Sequence, residues 1–336
     1  MIIRRLPRLL SIVLSLVMIA GAGLVSGCGS NQQGAPTKLT LGFTAWPGWL
    51  PWQVAKEKGL FAKHGIQVDL KYYSNYTTSL IALTAGGLDA NSQTLNDTLI
   101  SISNGARQTI VLVNDNSTGN DKIIAREGIT SVADLKGRKV SVEPGTADHY
   151  LLLLALRQAG LGPKDVTIEA HSAEAGATAF ASSRVDAVCV STPYTTRALQ
   201  RAGSHSIATS AEFPGAIPNH LVIRSAMVQE HPEAVQGLVN TWFETMRWIR
   251  DNRDEANEIM AKAGGVGVET FKTYAAGTTI FTHQQVVDAF TPGTNAKHLN
   301  FQAAQIADFI LETGMIQSRP NLAGLLDDRF VKAVPD

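Results

Sequence analysis

From Lys38 onward the chain alternates short apolar-rich strands with amphipathic helical stretches, and this alternation limits the fold more than any other feature. In Lys38-Leu39-Thr40-Leu41-Gly42-Phe43 the odd positions are apolar, the period of a strand with one face toward a core. Helical spacing follows through Trp52, Val54, Ala55, Leu60 and Phe61, and Ile66–Leu70 alternates again. That is a β-α-β unit. The same rhythm predicts helices at Thr77–Ala85, Asp97–Asn104, Asp148–Ala159, Ala175–Ser182 and Pro193–Ala202, and strands at Ile110–Val113, Lys139–Val142, Val185–Val190 and Leu221–Ile223. Strands and helices of these lengths predict α/β sheets whose ligand sits beyond the strand C-termini. From about His231 the pattern turns helical, with Val235, Leu238, Val239, Trp242, Phe243, Met246 and Ile249 on one core-facing stripe.

A weak internal echo suggests two lobes. Leu80 to Ala90 resembles Ala177 to Ala187: each is a helix, a small-residue turn and an apolar-Asp-Ala strand start, at Asp89 and at Asp186. Each strand then reaches a polar elbow that opens a helix, Thr94-Leu95-Asn96-Asp97 in one copy and Ser191-Thr192-Pro193-Tyr194 in the other. Two facing elbows make a cleft. A chain of 336 residues has room for two such lobes.

The N-terminus reads as an address. Arg4, Arg5 and Arg8 precede an apolar run from Leu9 to Val25, which ends in Val25-Ser26-Gly27-Cys28 and a polar tract. This is the layout of a secretory signal; the alternative is a membrane-spanning anchor. Small residues before a cysteine resemble a bacterial lipobox, so residues 1–27 are expected to be a lipoprotein signal, Cys28 the lipidated mature N-terminus and residues 28–37 a tether. Without its three arginines the chain carries 26 basic against 29 acidic residues, which argues against a nucleic-acid partner.

Asp134-Leu135-Lys136-Gly137-Arg138-Lys139-Val140 through Pro144-Gly145-Thr146, followed by the apolar stretch Tyr150–Leu156, resembles solute-binding proteins of ABC importers of the nitrate/sulfonate/taurine type. Ala55-Lys56-Glu57-Lys58-Gly59-Leu60-Phe61 and Ala85-Gly86-Gly87-Leu88-Asp89 match the same family. The resemblance implies a two-lobed, type II-like periplasmic-binding-protein fold that closes on a small molecule. It further implies permease and ATPase partners, a place at the extracytoplasmic face of the cell envelope, and no cofactor. The expected lobes are residues 38–120 with 221–336, and residues 121–220.

An enzyme would need other residues. No His-Glu-x-x-His, paired Cys-x-x-Cys or Gly-x-Ser-x-Gly occurs. Enzymes that make the thiamine pyrimidine are similar in fold but use a cysteine-rich iron site, and beyond Cys28 only Cys189 is left, in an apolar strand that marks a buried thiol. His149 opens a helix near the expected cleft, in a capping or packing role or as a ligand contact.

The loops expected at the cleft hold five acids, Asp97, Asp115, Asp121, Glu143 and Asp148, and no lysine or arginine. Asp97 and Asp148 also read as plain helix starts, and Asp121 as an organiser of the crossover between lobes. Asp115 and Glu143, at expected strand ends, have no such second reading. Trp46 and Trp49 flank Pro47-Gly48 in a strand-to-helix turn, where exposed rings serve a ligand, whereas Trp52 belongs to the core. Acids with tryptophan faces suit a compact cation. The expected ligand is guanidinium or a similar small nitrogenous cation, with charge from Asp97, Asp115 and Glu143, ring walls from Trp46 and Trp49, and hydrogen bonds from Asn96, Thr146 and Tyr194. The Trp-Pro-Gly-Trp and Thr-Leu-Asn-Asp-Thr signatures are similar to a guanidine-uptake branch of the family. The alternative is taurine, an aliphatic sulfonate or nitrate, met by helix N-termini at Asn96 and Thr146.

Overall fold

Leu39, Leu41 and Phe43 are buried along β1 (Thr37–Phe43), as the alternation requires, and β1 pairs in parallel with β2 (Ile66–Tyr72) through the helices between them. The computed structural model describes residues 36–335, which form one compact unit. The lipobox, Cys28 and the signal lie outside the described residues. The helix expected from Trp52 to Phe61 is two, Pro51–Glu57 and Leu60–Lys63, because Gly59 takes a left-handed conformation (φ 66°) between them.

Among the described residues, eleven strands make two sheets. In chain order they continue as β3 (Ala90–Thr94), β4 (Gln108–Ser117), β5 (Lys122–Ala125), β6 (Lys139–Val142), β7 (Thr167–Ala170), β8 (Ala187–Val190), β9 (His205–Thr209), β10 (Pro218–Arg224) and β11 (Thr278–Ile280). The first sheet has the order β11-β4-β10-β3-β1-β2, the second β7-β6-β8-β5-β9. The chain passes from the first sheet to the second between β4 and β5 and returns between β9 and β10. Each sheet thus holds an antiparallel strand laid down by a crossing: β10 beside β3 and β4, and β5 beside β8 and β9. This is the two-lobed α/β architecture that the echo suggests, and the cleft lies between the lobes.

The polar run Asn114-Asp115-Asn116-Ser117, expected as a loop, is the second half of β4 and is entirely buried. It pairs with β10 on one side and β11 on the other, so its backbone is satisfied by strands that local composition does not reveal. The central strand β3, Ala-Asn-Ser-Gln-Thr, is likewise buried throughout. Asn91 Nδ2 donates to Ser79 Oγ (3.1 Å), and Gln93 Nε2 donates to Thr98 Oγ1 (2.8 Å) and Gln108 Oε1 (3.1 Å), offsetting the desolvation of the amides.

Candidate functional site

The cleft narrows to a cavity of about 150 Å³ at the strand C-termini of both sheets. An apolar cavity of that size holds benzene, so the space suits a ligand of roughly six heavy atoms. Its lining contains five aromatic residues, Trp46, Trp49, Tyr72, Tyr76 and Tyr194, and four acids, Asp121, Glu143, Asp148 and Glu174. No lysine, arginine or histidine is among the described lining residues.

The aromatic wall comes from the first lobe. The turn after β1 is tied by Trp49 N–H to Trp46 C=O (2.9 Å), which sets the two indoles side by side with centroids 6.1 Å apart. Tyr76, in the first turn of the Tyr76–Thr84 helix, extends the row at 5.5 Å from Trp49. Both indoles line the cavity yet are nearly enclosed, 7% and 3% exposed, rather than the exposed rings expected. Neighbours in the first lobe cover them: the rings pack on each other, Trp49 packs on Tyr76, and Trp46 donates to Asp115.

Behind this wall lies Asp115. Trp46 Nε1 donates to Asp115 Oδ1 (2.9 Å), and Asn219 Nδ2, from β10, donates to the same oxygen (2.7 Å). Asp115 Oδ2 has no partner and rests on Gly48, where an added Cβ would lie 2.0 Å from it. Gly48 is therefore demanded by close approach rather than by backbone angle. Burial pushes the Asp115 carboxyl up to about 7 against these two hydrogen bonds. Asp115 does not line the cavity: as an interior strand residue it positions Trp46.

Asn96 and Asp97 also stand behind the lining. Thr94 accepts from the Asp97 N–H (3.2 Å) and donates to Asp97 Oδ2 (2.6 Å), so Asp97 closes the first turn of the Leu95–Ser103 helix, its plainer reading. Burial raises its carboxyl to about 7, opposed by Thr94 and Tyr76 and reinforced by the charges of Glu143 and Asp121. Asn96 is fully buried with neither amide atom partnered.

The charged wall belongs mainly to the second lobe. Glu143, after β6, accepts from Thr77 Oγ1 of the first lobe (2.5 Å) and from Ala173 N–H of the second (3.0 Å), so it ties the lobes across the cleft. Tyr194 does the same on the other rim, donating to Ser74 C=O (3.2 Å). Thr146 donates to Glu143 C=O (2.8 Å) and is the N-cap of the Ala147–Gln158 helix, whose first N–H groups it leaves without a side-chain cap. His149 Nδ1 accepts from Gly145 N–H (3.2 Å), a capping role, and is not among the lining residues. Cys189 donates to Asp148 C=O (3.1 Å) and is buried, its thiol pushed up by burial.

Of the eight ligand-binding residues expected, the structure brings Trp46, Trp49, Glu143, Thr146 and Tyr194 to the cavity and sets Asn96, Asp97 and Asp115 one layer back. Asp121 and Asp148, which also read as a crossover organiser and a helix start, line it instead. Tyr72 and Tyr76 were missed, although the β2-to-helix join is another strand C-terminus where such rings could have been sought. Asn219 had no local signal, since it reaches the site on a strand that returns from the other lobe.

The NMT1-like family matches residues 32–264. A protein of Brucella abortus (strain 2308), named as a binding protein, is 30% identical over 269 residues, 79% of this chain and 82% of its own. The taurine-binding periplasmic protein of Escherichia coli (strain K12) is 23% identical over 294 residues, covering 84% and 89%. The crystal structure of the periplasmic aliphatic sulphonate binding protein SsuA from Escherichia coli superposes with a TM-score of 0.72 at 24% identity, covering 87% of this chain and 92% of that one. The fold is the two-lobed fold of periplasmic binding proteins. The chain belongs to the NMT1-like family.

Proposed function

We propose that the protein is the extracytoplasmic substrate-binding lipoprotein of an ABC importer, anchored through Cys28, and that its ligand is guanidinium or a similar small nitrogenous cation. Residues 38–120 with 221–336 form one closing lobe in this reading, and residues 121–220 the other. The observation that carries the ligand is a small cavity walled by aromatic rings and carboxylates with no basic side chain among its described lining residues. An anion 4 Å from one carboxylate at an effective dielectric near 20 is repelled by about 4 kcal/mol, more than the ~0.3–2 kcal/mol that a helix N-terminus contributes. A cation reverses that sign and gains ~1–2 kcal/mol more over an indole face.

A second reading is favoured by the uncapped start of the Ala147–Gln158 helix at the cavity and by the names of the taurine and sulphonate relatives. A taurine-like zwitterion would set its sulfonate on those N–H groups and its ammonium on a carboxylate. Calorimetry with guanidinium chloride, urea, taurine, methanesulfonate and nitrate separates the two. Micromolar or tighter guanidinium binding is expected. Tight binding of taurine or a sulfonate with no guanidinium response would replace the cation by the zwitterion or anion. For the anchor, Cys28→Ser is expected to abolish acyl labelling and move the protein to the soluble fraction; unchanged membrane association would overturn it.

A further inference from the structure

Asp121 and Asp148 meet at the cavity from different elements, the crossover from β4 to β5 and the first turn of the Ala147–Gln158 helix. They are 3% and 7% exposed, and their carboxyl groups lie within hydrogen-bonding reach of each other. Two carboxyls bond to one another only with a proton between them. The surrounding donors fix where that proton sits. Gly119 N–H donates to Ser210 Oγ (2.8 Å), so the Ser210 hydroxyl is free to donate to Ser117 Oγ (2.7 Å), and Ser117 in turn donates to Asp121 Oδ2. This relay makes Asp121 the acceptor. Asp148 Oδ1 is enclosed and receives no donor from the protein, so Asp148 is the partner that keeps the proton.

We infer that the Asp121–Asp148 pair holds one proton in the ligand-free protein and exchanges it for the cationic ligand, so that capture of the cation releases a proton to solvent. The inference rests on the cation reading above and adds the chemistry of exchange to it. The incoming N–H donors take the place of the shared O–H, and the proton leaves to buffer; charge in the cavity is conserved. The titratable groups facing the pair are Asp97 from the Leu95–Ser103 helix, Asp115 from β4, Glu143 from the turn after β6 and the neutral Cys189 thiol from β8; none is basic, and the carboxyl groups favour keeping one positive charge there. Burial raises Asp121 to about 6 and Asp148 well above the usual carboxyl range; the Asp121 charge opposes ionisation of Asp148, whereas the hydrogen bond from Asp148 favours ionisation of Asp121.

The sign follows from linkage. A free pair that binds a proton more tightly than the occupied pair makes affinity rise with pH, by about tenfold per pH unit while the free pair is protonated and the occupied pair is not. Affinity levels off above the free pair's upper titration. An anionic ligand would give the opposite slope. The test is titration calorimetry of the full chain with guanidinium chloride from about pH 5.5 to about pH 8.5, in two buffers of different ionisation enthalpy. Release of about one proton per guanidinium is expected near neutral pH, between the pair's lower and upper titrations, with the dissociation constant falling as pH rises. Asp148→Asn keeps a donor toward Asp121 but carries no titratable proton of its own, and should reduce the proton release and flatten the slope near neutral pH. Guanidinium binding without proton release and at constant affinity would overturn the exchange and leave the cation reading standing, as would an unchanged slope in Asp148→Asn. No guanidinium binding at any pH would overturn both.

Discussion

The two lobes share one corner and differ in what they bring to the cleft. In the first, Asp89 accepts from Thr40 N–H of β1 (2.9 Å) and pairs with Arg224 at the end of β10 (2.6 Å). In the second, Asp186 accepts from Lys139 N–H of β6 (3.0 Å) and pairs with Arg126, just past β5 (2.8 Å). The backbone bonds match as well: Asp89 N–H to Thr40 C=O and Arg224 N–H to Asp89 C=O, against Asp186 N–H to Lys139 C=O and Arg126 N–H to Asp186 C=O. In each lobe an aspartate joins a parallel strand to the antiparallel strand that arrives from the crossing. The apolar-Asp-Ala echo in the sequence is the trace of this corner. The elbows that follow have diverged. The first turns Asn96 and Asp97 inward as buried helix-start residues, while Tyr194 in the second reaches the cavity. The first lobe supplies most of the rings and the second most of the carboxyl groups, so the proposed cationic ligand would find both only with the lobes closed.

The largest effect is expected from breaking the first lobe's wall. Gly48→Ala forces Asp115 and, through its hydrogen bond, Trp46 out of place; overpacking plus a disrupted buried carboxylate is worth about 3 kcal/mol, or roughly a hundredfold in guanidinium affinity. Calorimetry checks it, and an affinity equal to wild type would mean that Trp46 is not part of the site. The corners come next. Asp89→Ala should lower stability by about 2 kcal/mol and Asp186→Ala by about 1, because Asp89 also accepts from the Thr40 hydroxyl (3.0 Å), which Lys139 lacks. Denaturant titration that reversed this order would break the equivalence of the corners. Their arginine partners and the Thr40 or Lys139 N–H groups hold both carboxyls below the usual range against burial. Their stabilisation is therefore present at neutral pH and lost as pH falls below about 4.

Asp115→Asn tests the opposite sign. Its carboxyl is raised to about 7 from an ordinary 3.8, so its ionisation destabilises the fold as pH rises through that window. The variant should match wild type near pH 4 and gain about 1 kcal/mol near pH 8 by thermal unfolding. A loss at the higher pH would show that the carboxylate is compensated. The smallest effect is expected at the rim. Thr77→Val removes the first lobe's hydroxyl from Glu143 and should speed ligand release about fivefold in stopped-flow tryptophan fluorescence, about 1 kcal/mol of closure.

What the sequence determined is what neighbours along the chain decide. Side-chain period, helix starts and the Asp89 and Asp186 strand starts depend on residues within a few positions of one another, and all are legible in the order of the amino acids. The same holds for the wall at Trp46 and Trp49, set by a four-residue turn. Tertiary structure decided which acids meet the cavity. Asp115 is turned away by Trp46, 69 positions earlier, and Asn219, 104 positions later, and the run Asn114–Ser117 is a strand only because β10 and β11 flank it. Asp121 and Asp148 share a proton because the crossover and a helix start from the second lobe converge on one cavity. A carboxylate's role depends on the donors and dielectric around it, and those come from segments that the chain brings together only on folding.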